Sequence, residues 1–126
     1  MFDINAIGPL MVIKQAVKLM NDSPAFIINV SSDRASLANA MSNSNANYGN
    51  KASKAALNML TKVMVFDLPK NVSVLAVHPG GVHTNMNPNG SLQPRQAAAK
   101  IHRIIQNWGL KLNGQFVYND GSIHQP

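Results

Sequence analysis

The 126-residue chain has no cysteine. That excludes a disulfide scaffold, a cysteine zinc site and a thiol nucleophile, and it fits a reducing compartment. Glutamate is missing too, so all five acids are Asp. No stretch approaches the roughly 18 apolar residues of a membrane-spanning helix. No basic run precedes an apolar one near Met1, so no secretory leader is visible. A cytoplasmic protein without membrane association is expected, and sequons such as Asn71-Val72-Ser73 then carry no meaning.

What is present reads as one globular domain spanning residues 1–126, since 45% of the residues are hydrophobic and the length suits a single core. Eleven Lys and Arg outweigh five Asp for a formal charge of +6. A basic balance raises the question of anionic partners. The cations are spaced singly, however, with no run and no interleaved aromatics, which is the pattern of a solvated surface. No nucleic-acid partner is expected.

Hydrophobic periodicity gives six elements. A helix is predicted over about 3–20, with Ile7, Leu10, Met11, Ala16, Val17 and Met20 near helical spacing. Phe26-Ile27-Ile28-Asn29-Val30, bounded by turn formers, reads as a buried parallel strand. Residues 33–47 are Ser-, Asn- and Ala-rich and read as a loop. The strongest helix is predicted from Tyr48 to about Leu68. One of its stripes is Ala52, Ala55, Ala56, Met59, Leu60, Val63 and Phe66, and the other is Leu57, Met64 and Leu68. Two apolar faces mean burial on two sides, one against a sheet and one against a second helix or chain. Val72–Val77 is a second buried strand and Pro94 opens a third helix to about residue 107. Residues 115–118 are a last short strand before the Asn119-Asp120-Gly121 turn. The α-β-α-β-α-β order implies an α/β fold with three parallel strands, flanking helices and right-handed crossovers.

In open α/β sheets ligands sit beyond the carboxyl ends of the strands. Two such ends carry unusual residues, Val30-Ser31-Ser32 and His78-Pro79-Gly80-Gly81-Val82-His83-Thr84. His78 and His83 are five apart with no Glu nearby, which does not make a metal site. Met11, Met20, Met59 and Met64 fall at helical spacing, as packing residues do.

Four segments occur in order: Asn5-Ala6-Ile7-Gly8, Ile28-Asn29-Val30-Ser31-Ser32, Ser53-Lys54-Ala55-Ala56-Leu57-Asn58 and Pro79-Gly80-Gly81-Val82-His83-Thr84. Together they resemble the C-terminal half of a short-chain dehydrogenase/reductase, most closely the C-factor and sniffer group of carbonyl reductases. The resemblance covers essentially the whole chain and implies part of a doubly wound Rossmann fold. It implies an NAD- or NADP-dependent oxidoreductase acting on a small carbonyl or alcohol. By that resemblance Ser32 matches the serine that bonds the substrate carbonyl. Lys54 matches the lysine that holds the nicotinamide ribose and lowers the pKa of the catalytic tyrosine. Asn5 matches an asparagine whose backbone helps to hold a relay water. Pro79, Gly80, Val82 and Thr84 match the segment flanking the nicotinamide. The resemblance also implies a homo-oligomer formed through the helices near 3–20 and 48–68.

Two departures qualify these expectations. The family's tyrosine stands four residues before its lysine, on the same helix face, but Asn50 occupies that position, and an amide has no proton to give. Tyr48 is a candidate substitute only if the helix start is irregular. At about 100° per residue it lies roughly 120° around the helix from Lys54, so it is expected to line or pack the site. Second, no G-x-x-x-G-x-G occurs in the 126 residues, so the backbone cradle for a pyrophosphate is not among them. The chain thus reads as a truncated member that is inactive and does not bind the dinucleotide alone. The alternative is a non-catalytic dimerisation module derived from the family. In either case the strand at 26–30 should have an open edge, with marginal stability or stability through oligomerisation.

Overall fold

The computed structural model describes residues 1–42 and 46–126. The expected loop at 33–47 is present in part, as single helical turns at Asp33–Ala35 and Ala40–Ser42. Its residues Asn43, Ser44 and Asn45 lie outside the described set.

Helix α1 (Gly8–Ala16) is entered through a wide turn over Asp3–Ile7, in which the Gly8 N–H reaches back five residues to the Asp3 carbonyl. A Cβ at Gly8 would stand 2.9 Å from that carbonyl oxygen, so the turn needs glycine there. A tighter turn over Val17–Leu19 closes the segment. Strand β1 is Ala25–Val30, helix α2 Tyr48–Met64, strand β2 Val72–His78 and helix α3 Pro94–Gln106. Gln93 and Gln96 bond reciprocally across the start of α3, a capping box behind Pro94. The long helix stops earlier than its hydrophobic stripe predicts: the chain turns after Met64, four residues short of Leu68.

The sheet has the order β1-β2-β3-β4, where β3 is Phe116–Tyr118 and β4 is Ile123–His124. The first three strands are parallel, with Ala25 opposite Val72 and Ala76 opposite Phe116. The fourth pairs antiparallel to β3 and was not expected. Two residues have no readable period. The Asp120 carboxylate fixes the intervening turn, accepting from both the Ser122 N–H and hydroxyl.

Alternation along the strands sends residues to two layers. Ile27, Val72 and Val74 pack with Ile13 of α1 and Met64 of α2. Leu75, Val77 and Val117 pack with Ile104 of α3 and Leu112 on the other face. The strands advance in one direction while α2 and α3 lie on opposite faces. The two crossovers therefore have opposite hands, and the expected right-handedness holds for only one. The long connection at 79–93 gives the chain room to change face.

Helix α2 turns Ser53, Leu57, Thr61 and Met64 to the sheet. The stripe Met59, Val63 and Phe66 faces solvent, with Phe66 88% exposed. Of the two predicted stripes, the smaller is thus the sheet-facing one. No helix among the described residues is long and apolar enough to cross a membrane.

Leu57 is 1% exposed. Leu57→Ala should lower unfolding free energy by about 2–5 kcal/mol, the range for deleting a buried leucine side chain. Urea denaturation followed by circular dichroism measures it, and a loss under about 1 kcal/mol would contradict the packing described.

Candidate active site

Three side-chain pairs hold α2 in place, two against the first strand and its end and one against the turn before α1. The Asn29 amide donates to the Thr61 hydroxyl at 2.9 Å. The Ser31 hydroxyl donates to the Asn58 amide oxygen at 2.6 Å. The Asn5 amide, in the wide turn before α1, donates to the Ser53 hydroxyl at 3.0 Å. Ser53 donates in turn to the Asn50 carbonyl at 3.2 Å. These bonds fix the rotation of α2 about its axis. Asn50 and Lys54 are thereby carried to the carboxyl end of β1.

A cavity of about 450 Å³ opens there, within the about 300–1,000 Å³ usual for small-molecule sites. Ser31, Ser32, Asn50, Pro79, Gly80, Val82 and Thr84 line it, together with Asp33 and His78. Six of the nine predicted site residues meet at this cavity: Ser32, Asn50 and the four of the 79–84 loop. Three do not. Asn5 and Lys54 line a separate groove of about 850 Å³ along β1. Tyr48 is 81% exposed and is not part of the cavity wall, contrary to the expectation that it lines or packs the site. As the first residue of α2, it projects from the helix start rather than inward.

The loop after β2 is tightly built. Gly80 has φ +88°, and a Cβ on it would run into the Asn119 amide and Leu92. That amide donates to the Pro79 carbonyl at 2.9 Å. Val82 bridges to Leu92, and Thr84 bridges to Asn87, whose N–H the Thr84 hydroxyl also accepts at 3.1 Å. At the other wall the Ser32 hydroxyl donates to the Asp33 carboxylate at 3.1 Å and accepts from the Arg34 N–H at 3.2 Å. Lys54 donates to the Val30 carbonyl at 2.7 Å, and partial burial lowers its pKa.

Sequence reasoning dismissed His78 as a metal ligand and did not consider Asp33, and the cavity includes both. Nδ1 of His78 stands 3.9 Å from the Asp33 carboxylate and is buried with no hydrogen-bond partner. Burial pushes the His78 pKa below its ordinary value, the Asp33 charge opposes that, and His124 adds to it. Burial outweighs the carboxylate, so the pair is a neutral imidazole beside an acid rather than an ion pair. The one sequence signal was the place of His78 at a strand end and of Asp33 directly after the other, Val30-Ser31-Ser32.

The family model described as short chain dehydrogenase matches residues 1–95. The chain belongs to the short-chain dehydrogenase family. It is 35% identical over 129 residues to the 1-hydroxy-2-glutathionyl-2-methyl-3-butene dehydrogenase of Rhodococcus sp. (strain AD45), covering 98% of this chain and 56% of that enzyme. The carbonyl reductase Sniffer of D. melanogaster superposes with a TM-score of 0.81 at 30% identity, over 99% of this chain and 55% of that one. A carbonyl reductase from Pseudomonas aeruginosa PAO1 in complex with NADP superposes at 0.76 and 28%, over 100% of this chain and 54% of that one. The chain thus spans about half the length of these relatives. The family's cofactor fits the residues present at one end only. A Cβ added at Gly81 in the 79–84 loop would meet nothing within 4 Å, so the backbone is open to approach there. No Gly-rich turn for a pyrophosphate occurs in the sequence.

Because folding lowers the His78 pKa, the unfolded chain binds its proton more readily. Its contribution to stability is present above about pH 6.5, the ordinary histidine value, and fades as pH falls through that region. His78→Gln should flatten the drop in melting temperature between pH 7.5 and 5.5. An unchanged slope in scanning calorimetry would contradict a buried neutral imidazole.

Proposed function

We propose that residues 1–126 form the substrate- and nicotinamide-facing part of an NAD(P)-dependent reductase of small carbonyl compounds. One observation carries the reading: a single cavity beyond the ends of β1 and β2 gathers Ser32, Asn50 and the 79–84 loop. Family membership supports the oxidoreductase class, and relatives named as carbonyl reductases support the substrate class. When bound, the dinucleotide supplies or accepts the hydride. Pro79, Gly80, Val82 and Thr84 would flank its nicotinamide. The Ser32 hydroxyl, turned from Asp33, would hold the substrate oxygen. Lys54, released from the Val30 carbonyl, would hold the ribose, while Asn5 fixes the helix start through Ser53. The weak point is the proton. Asn50 stands where the family has its acid and cannot donate one, and Tyr48 is too far out to replace it. Losing a positioned proton donor costs about 10²–10⁴ in rate.

These 126 residues by themselves are therefore a poor catalyst and a poor dinucleotide binder, in the manner of a pseudoenzyme. A cytoplasmic setting suits both the cofactor and the lack of cysteine.

A second reading, a dimerisation module, is favoured by exposed Met59 and Val63 of α2, by exposed Phe66 in the turn after it, and by Ile7 and Met11 exposed before and within α1. The two helices would then cover each other's apolar faces across a two-fold axis.

Titration of the 126-residue chain with NADPH, followed by fluorescence, should show no saturation below millimolar cofactor. Asn50→Tyr alone should leave carbonyl reduction at background. Tight binding or turnover by either protein would overturn the reading of this segment. Light scattering on a dilution series should show a dimer that Phe66→Asp converts to monomer, and a wild-type monomer at every concentration would remove the second reading.

A further inference from the structure

The fold gathers cations that the sequence spaces singly. Lys100 and Arg103 stand one turn apart on the same face of α3. Lys111 belongs to the single helical turn Leu110–Leu112 that follows. All three line one cavity of about 530 Å³, closed on its far side by the Asn119-Asp120-Gly121 turn between β3 and β4. The cavity lies at the β4 end of the sheet, opposite the free edge of β1. It shares no lining residue with the candidate active site.

Nothing in the fold uses these charges. Among the described residues the sole close pair of opposite charges is His78 with Asp33, and none of the three cations donates a side-chain hydrogen bond. The acid beside them, Asp120, is already engaged, since its carboxylate accepts from the Ser122 N–H and hydroxyl at 2.9 and 2.6 Å. Nor is a cation needed to cap α3. The Asn107 N–H and side-chain amide meet the Arg103 carbonyl at 3.1 and 2.9 Å. A cation in the last turn offsets the helix dipole, which accounts for Arg103 alone and not for a convergence from two elements.

We propose that this cavity is a binding site for a compact polyanion, a small molecule bearing two or more phosphoryl groups. Lys100 and Arg103 hold it from the helix and Lys111 from the turn that follows. The cavity wall carries three positive charges against one negative, so a ligand with at least two negative charges balances it. A terminal phosphoryl group carries about −1.5 to −2 at neutral pH, and cations on two elements exceed what one carboxylate can meet. Arg103 offers a fork of donors and the lysines compact charges, the mixture that suits phosphoryl oxygens. Buried Ile104 and Leu112 supply an apolar floor. The wall has no aromatic side chain on which a base could stack, and a concave site of this size suits a small molecule. Both features favour a free phosphate compound over a nucleic acid. The inference stands apart from the reductase reading and survives its failure.

Isothermal titration of the 126-residue chain with sodium pyrophosphate reads the affinity, and amide NMR shifts locate the ligand. One molecule should bind per chain, saturating below about 1 mM, with inorganic phosphate several-fold weaker. The signals of Lys100, Arg103, Lys111 and Gly121 should move, and those of Ser32 and Gly81 should not. Arg103→Gln and Lys111→Gln, both at exposed side chains, should each weaken binding by about tenfold or more, as loss of a hydrogen bond to a charged group does. Lys70→Gln removes an exposed cation elsewhere and should change it by less than about twofold. No saturation, shifts scattered over the whole basic surface, or equal weakening by Lys70→Gln would overturn the proposal. So would an equal affinity for inorganic phosphate, or a single-stranded oligonucleotide that binds more tightly than pyrophosphate through the same residues.

Discussion

The rotation of α2 on the sheet is the constraint on which the site depends, and hydrogen bonds set it rather than apolar packing. Asn29 to Thr61, Ser31 to Asn58 and Asn5 to Ser53 tie the helix at three levels. Each such bond contributes only about 0.5–1.5 kcal/mol net, but an orphaned buried partner costs about 1–3 kcal/mol. A slip of the helix by one residue would orphan several groups together. An apolar interface of similar area tolerates small rotations, whereas this one permits a single setting. Ser53 and Thr61, both fully buried, also keep the helix close to the strands. That setting leads Asn50 to the cavity wall and leaves Lys54 at the strand edge.

The fold was largely legible in the sequence because its strands are apolar on both faces and its helices are long. Phe26–Val30 and Val72–Val77 could hardly be anything but interior strands, and Pro94 marked the start of α3 correctly. What escaped notice was short or depended on distant partners. Strand β4 exists because Asp120 and Ser122 fold the turn and β3 supplies an edge, and neither shows as periodicity. The side of α2 that meets the sheet was also obscured. Polar Ser53, Asn58 and Thr61 interrupt the buried stripe, and the more continuous apolar stripe turned out to be the outer one. The crossover hands followed from tertiary layering that no local pattern encodes.

The candidate site was legible as far as strand ends and motifs go. Ser32, Asn50 and the 79–84 loop, which the resemblance and not spacing singled out, line one cavity. Spacing could not place Lys54, because a flexible side chain takes the nearest strong acceptor, and here that is a main-chain carbonyl. Nor could it single out His78 and Asp33, which matter through burial and proximity across two strands. Tyr48 was expected off the Lys54 face but against the site, and instead it stands 81% exposed at the helix start.

The Asn119 amide that crowds Gly80 also bonds the Pro79 carbonyl, forty residues away in sequence. The left-handed turn at Gly80 leaves no room for a side chain, and the amide that fills the space also fastens the loop from behind. Neither residue can drift independently under selection. A bulkier residue at 80 demands a smaller one at 119, which then forfeits the fastening. A change that reshapes this loop has to be matched in the C-terminal hairpin, so one wall of the cavity is inherited together with a strand pair that does not line it.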